Sequence, residues 1–226
     1  MPHLAEDEVL FDYAMGSLCE GRSLAVATHL WAANQCRETV RQFERIGGAM
    51  LVSAPSEPVS ESCLESVLDQ LDKSDSNADD DDSTAHQGPT GQGTATDPDI
   101  PPPLRSYLPA SLDRLEWRRI TNSLSVYDVP LGRDAGSSRV RLMRIASGAQ
   151  MPRHSHEGEE YTVVLRGGYR DGDRDFLPGD IEVISGGMDH TPVAHEDGDC
   201  ICLTVTTAPL RFTGRFGRLL SPFVRF

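Results

Sequence analysis

Apolar positions along this chain follow two periods, and the change from one to the other divides it. In residues 6–18, Glu-Asp-Glu-Val-Leu-Phe-Asp-Tyr-Ala-Met-Gly-Ser-Leu, the side chains of Val9, Leu10, Tyr13 and Ala14 share one helical stripe behind an acidic first turn. A first helix is predicted there. Ser23 is placed to cap a second helix from Leu24 to Ala33, and Val40, Phe43 and Ile46 give residues 37–46 an apolar face that Gly47-Gly48 is expected to end. Ser62 and Glu65 have capping-box spacing, and Leu64, Val67, Leu68 and Leu71 make a fourth short amphipathic helix. Four short helices form a bundle too thin to bury much surface, and small domains of this kind often lean on a metal or a partner. Near the other end the period is two. Residues 200–207, Cys-Ile-Cys-Leu-Thr-Val-Thr-Thr, read as a strand with Cys200 and Cys202 on one face.

Charge marks what lies between. Residues 1–53 hold seven acidic and four basic side chains, residues 54–99 twelve and one, and residues 100–226 sixteen of each. The net charge of −14 is therefore concentrated in the middle. Residues 73–98 carry no large apolar side chain, so nothing offsets the entropy of ordering them, and a disordered tether is expected. Its run Asp79–Asp82 could mimic nucleic acid or trap cations, but a self-repelling spacer accounts for it more simply. The expected organisation is α+β and multidomain: a helical bundle over 1–72, an acidic linker over 73–99, and an all-β domain over 100–226. With 226 residues, 38% of them hydrophobic, there is material for more than one core. No apolar run reaches membrane-spanning length and the first residues lack signal-peptide character, so a cytoplasmic protein is expected. Five cysteines in no scaffold pattern are expected to be thiols. The absence of a basic stripe disfavours direct nucleic-acid binding.

Candidate chemistry concentrates in residues 148–167, Gly-Ala-Gln-Met-Pro-Arg-His-Ser-His-Glu-Gly-Glu-Glu-Tyr-Thr-Val-Val-Leu-Arg-Gly. His154, His156 and Glu160 share parity, and in extended chain the two histidines lie on one face with Cα atoms roughly 6.5 Å apart, so both imidazoles can reach one ion. This spacing resembles the first motif of the cupins, small double-stranded β-helix barrels that hold a metal inside. Leu177-Pro-Gly-Asp180 resembles the turn of their second motif, and His190 stands where cupins supply a last histidine. The asparagine usual after that histidine is missing, which removes no ligand. The resemblance implies a C-terminal all-β cupin barrel with His154, His156, Glu160 and His190 as ligands. Three imidazoles and a carboxylate suit zinc, and equally ferrous iron, manganese or nickel. Cys200 and Cys202 can be read as a redox pair or as small apolar filling; residues two apart on one strand have poor disulfide geometry, which favours filling.

The segment His29-Leu-Trp-Ala-Ala33-Asn-Gln-Cys36 resembles the H-x3-C-x2-C of zinc-binding anti-sigma domains, which also use an earlier histidine. The resemblance implies a second zinc held by His3, His29 and Cys36. Ala33 departs from the pattern, because its methyl group has no lone pair where the family has a cysteine, and three ligands do not close a structural zinc site. The alternative is that His29 and Cys36 are packed core residues. Both halves together, with Ala14-Met-Gly-Ser-Leu18, Ala25-Val-Ala-Thr-His-Leu30, Gly179-Asp-Ile-Glu182 and His190-Thr-Pro-Val-Ala194, resemble the ChrR-type anti-sigma factors. That family resemblance implies sequestration of an extracytoplasmic-function RNA polymerase sigma factor by the helices, and a cupin responsive to singlet oxygen or organic hydroperoxides. The rival readings are a metal-dependent cupin enzyme, such as a dioxygenase or diketone-cleaving enzyme, and a regulator that binds a small ligand.

Overall fold

In the computed structural model, residues 2–60, 62–76, 97–132, 138–208 and 210–212 are described. Helix α1 spans Asp7–Ala14, α2 Glu20–Ala32, α3 Asn34–Ser53 and α4 Cys63–Ser76. α1 packs on α3, with Phe11 set edge-on to Phe43 at a centroid distance of 5.3 Å. The third helix runs through Gly47 and Gly48, contrary to the expectation that they end it. Neither glycine takes a positive φ, and each costs the helix only about 1 kcal/mol relative to alanine. The stop comes at Ala54, which adopts φ −70° and ψ 146° because Pro55 follows and excludes the helical conformation from the residue before it. α4 continues through Lys73–Ser76, into the stretch expected to be tether. The rest of that acidic stretch up to residue 96 lies outside the described residues.

The chain resumes on the β domain. Asp97, Asp99 and Asp113 converge on Arg166, at 3.9, 2.5 and 2.7 Å. This segment includes a single helical turn, α5 (Pro102–Arg105), and a 3-10 turn at Leu112–Arg114 that carries Asp113. Eleven strands follow among the described residues: β1 (Arg118–Arg119), β2 (Leu124–Asp128), β3 (Arg139–Ile145), β4 (His154–His156), β5 (Glu160–Arg166), β6 (Tyr169–Asp171), β7 (Arg174–Phe176), β8 (Ile181–Ile184), β9 (Val193–Ala194), β10 (Cys200–Thr206) and β11 (Leu210–Phe212). One wall is an antiparallel sheet ordered β1-β2-β3-β10-β5-β8. The other consists of β7-β6-β9 and the pair β11-β4. The strands are therefore distributed over three sheets rather than one continuous barrel.

Strand periodicity sends alternate residues of the large sheet to two different cores. Val126, Ile145, Val164, Tyr169, Phe176 and Cys200 fill the space between the walls. Leu142, Tyr161, Val163, Ile201, Leu203 and Val205 face outward and join α2 and the 97–117 segment in a single apolar cluster. That is why β5 and β10 are buried along almost their whole length. α2 is correspondingly buried on several sides, through Gly21, Leu24, Ala25, Val26, Thr28, His29 and Leu30. Two glycines let it lie so close. A Cβ on Gly21 would sit 2.8 Å from Val140 Cγ2, and one on Gly179 would sit 2.6 Å from Ala32 Cβ.

Candidate metal centre

β4 contributes two imidazoles because it is extended: His154 and His156 point inward while Ser155 is only partly buried between them. Glu160 opens β5 at the parity that faces the interior. His190 comes from the loop between β8 and β9 and is fastened to His154 by a reciprocal backbone pair, His154 N–H to His190 O at 3.2 Å and His190 N–H to His154 O at 3.0 Å. This bridge brings the side chains of two distant segments together. His154 Nε2 and His190 Nε2 lie 2.8 Å apart, His156 Nε2 and His190 Nε2 3.1 Å apart, and His156 Nε2 is 3.0 Å from Glu160 Oε2. The four ligand atoms all lie within 4.8 Å of one another.

The protonation states follow from the surroundings. His154 Nδ1–H donates to the Pro152 carbonyl at 2.7 Å, which leaves the lone pair on Nε2, pointing into the cluster. Burial pushes His156 down to about 3 and His190 to about 4, each aided by the neighbouring imidazoles, and burial lowers His154 too. Glu160 is raised by burial to about 7, against the hydrogen bond that Thr162 Oγ1–H donates to Oε1 at 2.9 Å. Neutral imidazoles whose acceptor nitrogens crowd to within 2.8–3.1 Å have too few protons to share among them. A cation at their centre would satisfy all of them. The N3O donor set fits zinc or another divalent transition metal.

Behind His190 stands a carboxylate layer that sequence reasoning missed. Asp171 Oδ2 lies 3.3 Å from His190 Nδ1, and its Oδ1 accepts the Thr191 N–H at 3.3 Å. Glu182 accepts from Tyr169 Oη–H at 2.7 Å and pairs with Arg174, which also lies 3.7 Å from Asp171. Asp171, Glu182 and His190 form a second group of mutually close donors, but Tyr169 and Arg174 already engage its carboxylates. Its geometry is that of a support which orients a metal-binding histidine through its far nitrogen. The available signal was parity: Asp171 and Tyr169 share the buried face of β6, with exposed Arg170 between them.

The other candidates fall elsewhere. Cys200 and Cys202 are buried free thiols, and the hydrogen bond with Cys200 together with burial pushes the Cys202 thiol well above its ordinary range, opposite to a reactive cysteine. His3, His29 and Cys36 form no group of three close donors among the described residues. Each His29 nitrogen has a hydrogen-bond partner. Nδ1–H donates to the Gly179 carbonyl at 2.7 Å, and Nε2 accepts the Ala5 N–H at 3.3 Å. The His3 ring lies against Phe176 with centroids 4.3 Å apart.

Residues 108–210 match the family described as the ChrR cupin-like domain. Over 223 residues the chain is 37% identical to the anti-sigma-E factor ChrR of Cereibacter sphaeroides, covering 99% of this chain and 98% of the relative. The chain belongs to the ChrR family of anti-sigma factors. Its structure is also similar to the crystal structure of Rhodobacter sphaeroides SigE in complex with the anti-sigma ChrR, at 34% identity and a TM-score of 0.75, over 91% of this chain and 99% of that one. That coverage includes helices and cupin together. No helix among the described residues is long and apolar enough to cross a membrane.

Two outcomes are expected of this ChrR-family site. Asp171→Asn should weaken metal binding by roughly 10–100-fold with little change in thermal stability, since it removes the charge behind His190 and keeps the shape; competition with a chromophoric chelator measures this. In the metal-free protein Glu160, raised to about 7, competes with the ion for a proton, whereas burial holds His156 near 3 and His190 near 4 and lowers His154 as well. Affinity should therefore rise about tenfold per pH unit up to about 7 and level off beyond, as read by calorimetry in buffers of different ionisation heat. An affinity flat from pH 5 to 8 would contradict the assignment of Glu160 as a ligand.

Proposed function

We propose that this chain sequesters an extracytoplasmic-function sigma factor through its helical module, residues 1–72, and that its cupin, residues 100–226, holds a metal through His154, His156, Glu160 and His190 and senses an oxidative signal. The supporting observation is a set of large apolar side chains left exposed on the helices. Phe11 lies on α1 and Met15 just after it, Trp31 on α2, Ile46, Met50, Leu51 and Val52 on α3, and Leu64, Val67, Leu68 and Leu71 on α4. On α4 they form one stripe at helical spacing, 49–67% exposed, and a contiguous surface of this kind marks a partner-binding face. The related complex of SigE with ChrR supplies the class of partner. Burying such a stripe against the sigma factor inhibits by occlusion and needs no catalysis.

A route from the cupin to that module supports the sensing part of the proposal. β5 carries Glu160 on its inner face and Tyr161 and Val163 on its outer face, against the cluster that contains α2. Arg22 of α2 pairs with Glu159 at 2.9 Å, next to the ligand carboxylate. A change in coordination that shifts β5 is thus felt directly by α2. Zinc is the metal proposed, from the donor set. A cytoplasmic location follows from the proposed partner.

The test is co-purification of the full-length protein with the extracytoplasmic-function sigma factors of its host. Val67→Glu with Leu71→Glu should leave thermal stability nearly unchanged, since both side chains are exposed. Losing the burial of two such side chains at the interface, about 1.5–3 kcal/mol each, should weaken binding at least about 100-fold. No sigma factor bound by the unaltered chain would overturn the proposal and favour a metal-dependent cupin enzyme.

A further inference from the structure

The helical module of the ChrR family is associated with zinc, and the residues of this chain do not fit that ion. Ala33 offers no donor. His29, fully buried, spends Nδ1–H on Gly179 and its only lone pair on Ala5 N–H. The same Ala5 amide lies against the Cys36 thiol. The His3 main chain is committed to the cupin at both its polar atoms. Its N–H donates to Asp180 Oδ1 at 3.0 Å, and its carbonyl accepts the Ile181 N–H at 3.2 Å.

These contacts have one geometry in common. The residues where the family places ligands converge on the Leu177–Asp180 turn of the cupin or on the amide of Ala5. Gly179 makes the approach possible, with φ +94° and no side chain to meet Ala32. Asp180 serves both sides of the junction, since its Oδ2 also accepts the Leu177 N–H at 2.9 Å and holds the turn in shape.

We infer that the backbone amide of Ala5 takes the place of a metal ion in the helical module of this chain, and that His29 fastens this module to the cupin turn at Gly179. The module is closed without metal, and the residue that elsewhere would bind the ion joins the two domains. Chelation removes the cupin metal and leaves the junction intact. A signal at the cupin therefore reaches the helices through the docked surface and not by release of a second ion.

The experiment counts zinc in the full-length protein after loading with excess zinc and desalting, and does not depend on which partner the helices bind. Cys36→Ala and His29→Asn are each expected to retain the zinc content of the unaltered chain. His154→Ala with His156→Ala is expected to remove it. A zinc ion that survives the double cupin substitution and disappears in Cys36→Ala would overturn the inference. The junction has its own readout in hydrogen exchange. The Asn side chain can still donate to Gly179 whereas Leu cannot, so His29→Leu should speed exchange of the Ala5 and Ile181 amides at least about tenfold, and His29→Asn should speed it less at Ile181. Equal, unchanged protection in both variants would overturn the fastening role.

Discussion

Burial of α2 against the outer face of the six-stranded sheet is the interaction from which the remaining structure follows. The apolar positions Leu24, Val26 and Leu30 of α2 need a partner, and the outer faces of β5 and β10 would otherwise expose Val163, Ile201, Leu203 and Val205. Each surface removes the other's liability. Fully burying a leucine or valine contributes about 1.5–3 kcal/mol, whereas a typical hydrogen bond nets about 0.5–1.5 kcal/mol. Apolar contact therefore sets the strength of the docking. The directional groups, His29 to Gly179, His3 to Asp180 and Arg22 to Glu159, fix its position.

The same sheet makes the two domains neighbours of the candidate metal. Along β5, Glu160, Thr162 and Val164 face the interior, and Tyr161, Val163 and Leu165 face the helices. The buried carboxylate of the candidate site, beside its three imidazoles, lies one residue along β5 from the packing that holds α2. Asp171, Glu182, Tyr169 and Arg174 add a second polar layer beside His190. A candidate metal ligand on one face of β5 and helix packing on the other are thus one residue apart.

Much of this was legible in the sequence because two signals are local. Strand parity placed His154, His156 and Glu160 on one face, and they meet there with His190, whose position came from family resemblance rather than from periodicity. The resemblance to ChrR-type factors is borne out by 37% identity across nearly the whole chain. Other features were hidden because they depend on distant contacts. The end of α3 was misplaced because Gly47 and Gly48 look stronger than they are, while Pro55 acts on the residue before it. Asp171 was missed because its role exists only once β6 lies beside the loop carrying His190. The partners of His29, a glycine carbonyl 150 residues away and the amide of Ala5, also leave no mark on the local pattern.

The most direct test of the account is native-state hydrogen exchange on the full-length protein, followed at the amides of α2, β5 and β10. If α2 and the sheet share one core, Ala25–Leu30 and the central residues of β5 and β10 should exchange as one cooperative unit with similar opening free energies. Exchange of α2 some orders of magnitude faster than the strands would mean that the helices do not stay docked, and would contradict both the shared core and the proposed path from metal to helices.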